Sequence, residues 1–393
     1  MIKAEKKVLE YIKLHMPLAV SVLFLTLGIV VRIKLRDVIS GDYAGFLFPW
    51  YEEIGAHGLS QQVGDYNFLY QFMIWIFTKL QVYPLYAYKA VSCAFDFVLA
   101  FTGGLIAYEN TSQHKKWGGV FAFCAIWLSP MVFLNSAAWA QCDAIYSAFA
   151  VLSLYFLLKQ KYTAAFILLG VSFTFKFHAV FVLPFFLYIY FVKEEFSIAR
   201  FLTIPVVMCV LSAPLVFWGR NLLEIFVIYV KQTSSYQAMS MNYPSAWLIL
   251  CKAMDAGQYF LLKAVAIIIT VFVLALLMLW WIRKNCEPSG KKFYFMAFLL
   301  IYTCVLFLPS MHERYGYLYE ILAILLAVLI PKTIPLCVGL LCVSLNTYGA
   351  FLFGIPIQLS LLSCVNIAVY MAYIFIFKRE FIQTNKYERD KKI

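Results

Sequence analysis

Charge is what this chain has least of. Only 13% of its 393 residues are Asp, Glu, Lys or Arg, against 64% hydrophobic. No soluble core of this length needs so much apolar surface, which excludes a soluble globular fold. Strict alternation of apolar and polar residues is missing as well. The apolar runs are continuous, so a transmembrane barrel is excluded and helices remain. No GxxxxGK[ST] loop occurs, which argues against ATP use. The five histidines (His15, His57, His114, His178, His312) form no HExxH pair, and there is no GxSxG elbow. The ten cysteines form no CxxC pair and sit mostly inside apolar runs, as Cys93, Cys124, Cys209, Cys304, Cys337, Cys342 and Cys364 do. They read as small packing residues. The first apolar run lacks a small-residue cleavage site and reads as a retained helix.

What is present is an all-α polytopic membrane protein, with mean hydropathy +0.82. The apolar runs predict about twelve transmembrane helices (ten to thirteen). They fall near 17–32, 84–108, 119–134, 143–158, two short helices within 162–192, 201–218, 258–281, 294–309, 317–331, 335–352 and 357–377. Residues 1–377 read as one transmembrane domain and 378–393 as a cytoplasmic tail. Two long segments, 33–83 and 219–257, read as external loops. Within the first, 66–80 is apolar but short for a span, so it is expected to be interfacial or re-entrant. The segments 1–16, 109–118, 159–161, 193–200, 282–293, 331–335 and 378–393 together hold 21 of the 32 Lys and Arg residues. The positive-inside rule then places both termini in the cytoplasm of a plasma membrane. The same gathering of cations explains the net charge of +12 without nucleic acid as a partner.

With that topology, four polar clusters come out on the outer side. Asp42 follows the first helix, within Ser40-Gly41-Asp42-Tyr43. Trp139-Ala140-Gln141-Cys142-Asp143 lies at the 134/143 turn. Lys176 and His178 interrupt the run 162–192. His312-Glu313-Arg314-Tyr315 precedes the helix at 317. Ionisable groups at membrane depth are costly and tend to face one another or a wet cavity. Asp42 can accept a proton. Arg314, Lys176 and His312 can hold an anion, Arg best of all through its planar fork. Glu313 is expected to pair with a neighbouring cation. Lys89 and Asp96 lie seven residues apart on one helix face, about 10 Å along the axis. Each is therefore expected to meet a polar partner on another helix. Trp50, Tyr51, Tyr66, Tyr70, Tyr236, Tyr243 and Trp247 could stack on a sugar or an isoprenoid tail, although belt anchoring accounts for most loop aromatics.

In order and spacing, these motifs resemble the GT-C superfamily of membrane glycosyltransferases. The resemblance rests on Ser40 to Tyr43 with Pro49-Trp50, Trp139 to Asp143, Phe175-Lys176-Phe177-His178, and Met311 to Tyr315. It covers about 20–320 and is greatest to bacterial relatives of the second mannosyltransferase of glycosylphosphatidylinositol assembly. It implies an inverting transfer of a hexose from a polyprenyl-phosphate carrier, with Asp42 as general base. Arg314, Lys176, His312 and His178 would hold the donor phosphate. Asp143, Gln141, Trp139, Glu313, Tyr315, Tyr43 and Trp50 would contact sugar or acceptor. The chain lacks the soluble C-terminal domain of larger members, which favours a lipid-linked or cell-envelope glycan acceptor. No cofactor is required. A divalent metal is compatible but not favoured, since Asp42 has no DxD partner. The competing readings are a secondary transporter, a lipid-carrier flippase and a polysaccharide polymerase. A carrier would place ionisable groups at the bilayer midplane between inverted repeats.

Overall fold

The computed structural model describes residues 2–233, 235–250 and 258–383. Residues 251–257 of the second expected loop and 384–393 of the expected tail lie outside the described residues. α1 (Lys3–Leu35) leads through a π turn at Tyr43–Leu47 into α2 (Phe48–His57), then α3 (Phe68–Leu80) and α4 (Pro84–Asn110). α5 (Lys115–Trp127) and α6 (Pro130–Phe133) follow, the latter continued by a π turn at Leu134–Ala138. Next come α7 (Asp143–Leu158), α8 (Tyr162–Phe175), α9 (Leu183–Lys193), α10 (Thr203–Ser212), α11 (Glu224–Gln232) and α12 (Trp247–Leu250). The bundle closes with α13 (Tyr259–Arg283), α14 (Gly290–Phe307), α15 (Tyr317–Leu329), α16 (Ile334–Phe353) and α17 (Leu359–Phe377). Among the described residues the only strands are β1 (Ser240–Met241) and β2 (Met311–His312), paired in parallel.

Seven helices are long and apolar enough to cross a bilayer, or eight if the bent pair at α5–α6 is one span. The protein is therefore an all-α polytopic membrane protein. At its centre lies α14, where every residue from Phe293 to Leu306 is buried. A helix that is apolar on all sides must be wrapped by others, and α9, α13, α15 and α17 do so here.

Most helix positions match the sequence reading, and three differ instructively. The first helix does not start near 17. It is helical from Lys3, because Ala, Glu, Lys and Leu are all strong helix formers, and Pro17 is carried inside it. The expected single helix at 119–134 is broken, with a bend of 45°. Ser129 precedes Pro130 and takes extended backbone (φ −61°, ψ 126°), which is the conformation that a following proline favours. The expected helix at 201–218 is α-helical only over α10, with 3-10 turns at Ile198–Leu202 and Ala213–Trp218 on either side. Of residues 66–80, Phe68–Leu80 form α3, whose 13 residues extend about 20 Å.

The polar residues inside α4 pin it to α1. Arg32 donates to Asp96 Oδ2 from Nε (3.1 Å) and Nη2 (2.8 Å), and its guanidinium lies 3.5 Å over the Trp127 ring. Ser136 donates to the same oxygen at 2.5 Å. Lys89 Nζ donates to the carbonyls of Leu35 (3.0 Å), Arg36 (2.9 Å) and Val38 (2.6 Å), satisfying acceptors at the end of α1 that the helix itself leaves open. Neither residue bridges to the other, in keeping with their spacing along α4. These contacts fix where α1 ends, and Asp42 follows a few residues later.

Candidate functional site

Four helix ends converge on one place: the C-termini of α1, α8 and α14 and the N-terminus of α7. Asp143 opens α7, where the helix dipole favours a carboxylate. Lys176 ends α8 in extended backbone (φ −151°, ψ 136°), which turns its side chain toward Asp143. The two form a buried ion pair. Asn135, delivered by the π turn, donates to Asp143 Oδ2 at 2.9 Å, and Arg314 Nε lies 3.6 Å from the same oxygen.

Arg314 is the hub. Its Nη1 lies 3.3 Å from Asp42 Oδ2 and 3.1 Å from Glu313 Oε1, and the guanidinium sits 5.5 Å from the Trp139 ring. Glu313 thus pairs with a neighbouring cation, as expected. Asp42 Oδ2 also accepts from Trp139 Nε1 at 2.9 Å and from Gln141 Nε2 at 2.6 Å. Those two side chains are aimed by an unusual backbone, in which Ala140 adopts φ +65° and Ser40 Oγ donates to the Trp139 carbonyl at 2.8 Å. Trp139 is in turn stacked on Phe351 at 4.4 Å.

Beside this cluster opens a cavity of about 350 Å³. Lys176, His178, His312, Arg314 and Tyr315 line it, so five of the predicted site residues meet there. Apolar side chains line it too: Phe177, Val180, Phe181, Leu308 and, from α13, the exposed Ile267. His178 packs edge-on to Tyr315 at 3.8 Å, and its Nδ1 is buried without a hydrogen-bond partner. His312 Nδ1 lies 3.9 Å from Glu313 Oε2. Burial, with Arg314 and Lys176 nearby, pulls its pKa down to about 3. Burial pushes the Glu313 carboxyl above the usual range against the pull of Arg314.

Several of the residues expected to contact sugar or acceptor are engaged within the protein. Trp139 (0% exposed), Asp143 (1%), Gln141 (3%) and Glu313 (3%) are buried against Asp42, Lys176 or Arg314. They hold the charged groups in place. Tyr43 is buried too, edge-on against Tyr88, and Trp50 packs edge-on against Tyr66 and fills the space beside Gly64. Of the loop aromatics, Tyr66 and Tyr236 line the cavity, whereas Tyr70, Tyr243 and Trp247 are buried in the bundle.

Sequence reasoning missed Asp65, Gln232 and Lys263, which also line the cavity. A signal for Asp65 was present, since Gly64-Asp65-Tyr66 repeats the tripeptide Gly41-Asp42-Tyr43. Lys263 donates to the Thr233 carbonyl and Gln232 to the Asp65 carbonyl, closing the rim. Among the described residues no group of three or more His, Cys, Asp or Glu side chains converges as a metal site would. Compared with known proteins, the chain matches no protein-family model, and no curated protein matches it.

Proposed function

We propose that this protein is an inverting glycosyltransferase of the GT-C type. It would move a hexose from a polyprenyl-phosphate carrier to a lipid-linked or cell-envelope glycan acceptor at the outer face of a bacterial plasma membrane. The observation that carries this reading is a cavity that joins cations to apolar surface. Lys176 and Arg314 line it together with Phe181, Leu308 and the exposed Ile267 of α13. A phosphate esterified to a long isoprenoid combines the same two chemistries. Two cations, one of them a planar guanidinium, suit its head.

In this reading the acceptor hydroxyl gives its proton to Asp42, whose Oδ2 is occupied by Trp139, Gln141 and Arg314. The acceptor oxygen attacks the anomeric carbon. The bond from that carbon to the phosphate oxygen breaks, and its electron pair stays on the phosphate. Lys176 and Arg314 meet the charge that develops there, and His312 donates a hydrogen bond. Counting the bent α5–α6 pair as one span, and α7, α8, α9 and α15 as short spans buried within the bundle, would bring the helices to twelve, with both termini cytoplasmic.

The test uses purified protein with a labelled polyprenyl-phosphate hexose and lipid acceptors. Wild type releases polyprenyl phosphate. Asp42→Asn keeps donor binding and loses about 10²-fold or more in turnover, as removal of a general base does. Full turnover in Asp42→Asn contradicts the role of Asp42.

A further inference from the structure

Asp42, Asp143 and Glu313 are each engaged by Arg314, and Asp143 by Lys176 as well. One other carboxylate belongs to this region. Asp65 lines the cavity alongside Lys176, Arg314 and His312, yet among the described residues it makes no ion pair or hydrogen bond to another side chain. Its side chain lines the cavity from a backbone held from several directions. Arg220 donates to the Gln61 carbonyl (3.2 Å), Gln62 Oε1 (2.7 Å) and Gln71 Oε1 (3.1 Å), and so ties down the loop that leads to Asp65. Gln62 donates to the Gly64 carbonyl at 3.0 Å, and Gln71 donates to the Tyr66 carbonyl at 2.8 Å. At Gly64 the backbone takes φ +68°, and a Cβ there would fall 2.4 Å from Trp50, so only glycine fits the approach to Asp65.

We infer that Asp65 is the residue that recognises the sugar of the donor, accepting hydrogen bonds from its hydroxyls and setting specificity for it. This rests on the polyprenyl-phosphate donor proposed above. A phosphate is repelled by the Asp65 carboxylate and held by Lys176 and Arg314. The sugar, joined to that phosphate through its anomeric oxygen, then extends toward Asp65, Tyr66 and Tyr236. A carboxylate with open lone pairs is a natural acceptor for neighbouring hydroxyls, and the tyrosines supply ring faces for the sugar. Burial pushes the Asp65 carboxyl above the usual range while Lys176 and Arg314 pull it back, as befits a group in a partly closed pocket beside those cations.

The experiment measures binding of two probes to protein in lipid nanodiscs: a polyprenyl-phosphate hexose and the bare polyprenyl phosphate. Wild type binds the hexose form more tightly. Asp65→Asn loses about tenfold in affinity for the hexose form, the scale of one hydrogen bond to a charged acceptor. It binds the bare carrier at least as tightly as wild type, since a negative charge near the phosphate is gone, which also reports an intact fold. Asp65→Ser behaves alike, whereas Lys176→Met weakens both probes. Unchanged affinity for the hexose form in both Asp65 variants overturns the inference, and so does equal weakening for both probes. Wild-type protein that binds the two probes equally overturns it while leaving the donor assignment standing. Wild-type protein that binds neither overturns the donor assignment, and this inference with it.

Discussion

Asp143→Asn removes one charge from the most buried part of the site and leaves the geometry nearly unchanged. Arg314 keeps Asp42 at 3.3 Å and Glu313 at 3.1 Å, so the orphaned charge is that of Lys176, whose side chain is 3% exposed. Removing one partner of a buried ion pair costs about 3–5 kcal/mol. The rings of Tyr66, Tyr146 and Tyr315 lie 5.5, 5.7 and 5.9 Å from Lys176 Nζ. Those contacts are made in wild type and variant alike, so the expected loss stays at about 3–5 kcal/mol. Replacing both partners removes the unpaired charge, so Asp143→Asn with Lys176→Met is more stable than Asp143→Asn alone. Unfolding in detergent micelles, followed by tryptophan fluorescence, reads both differences. A loss below about 1 kcal/mol in the single variant, or a double variant less stable than the single, refutes the reasoning.

Three further outcomes follow from the same geometry. Gly64→Ala strains a left-handed backbone and drives a Cβ into Trp50, so stability falls by about 1–3 kcal/mol in the same unfolding assay. Wild-type stability would mean that Trp50 yields freely. His312 titrates near 3 when folded and near 6.5 when unfolded, so the unfolded chain binds more protons between those values. Its contribution is present above pH 6.5 and is lost as pH falls toward 3. Asp65 and Glu313, with raised values, act in the opposite sense. The signature is therefore a difference: His312→Asn loses less stability than wild type between pH 7 and pH 5, and parallel curves contradict it. Trp139→Phe removes one donor from Asp42 Oδ2, and kcat is expected to fall about tenfold with donor affinity unchanged. An unchanged kcat excludes a positioning role.

Much of the architecture was legible because apolar runs bounded by polar turns mark helices directly. α7 begins and ends where the sequence placed it, and the break at Lys176 was visible as a cation inside an apolar run. The spacing of Lys89 and Asp96 correctly separated the two onto different partners. The bend at Ser129-Pro130 was overlooked because the hydrophobicity continues across it, although the proline carried the signal. Burial within the site was not legible. A polar residue that is buried around an arginine and one on an open wall look the same in sequence, so the burial of Trp139, Gln141 and Asp143 was not visible there. Asp65 was passed over because it follows a turn glycine in a loop, where a carboxylate is ordinarily just solvated.

The central claim, that this cavity receives a lipid-borne phosphate, is tested most directly by photo-crosslinking. A polyprenyl phosphate with a photoreactive group in its first isoprene units is bound to the protein, irradiated and mapped by peptide mass spectrometry. The account predicts labelling at Phe181, Ile267 and Leu308, competed by unlabelled polyprenyl phosphate and lost in Lys176→Met. Labelling confined to lipid-facing residues of α1 or α17, indifferent to competitor and to Lys176, would contradict it.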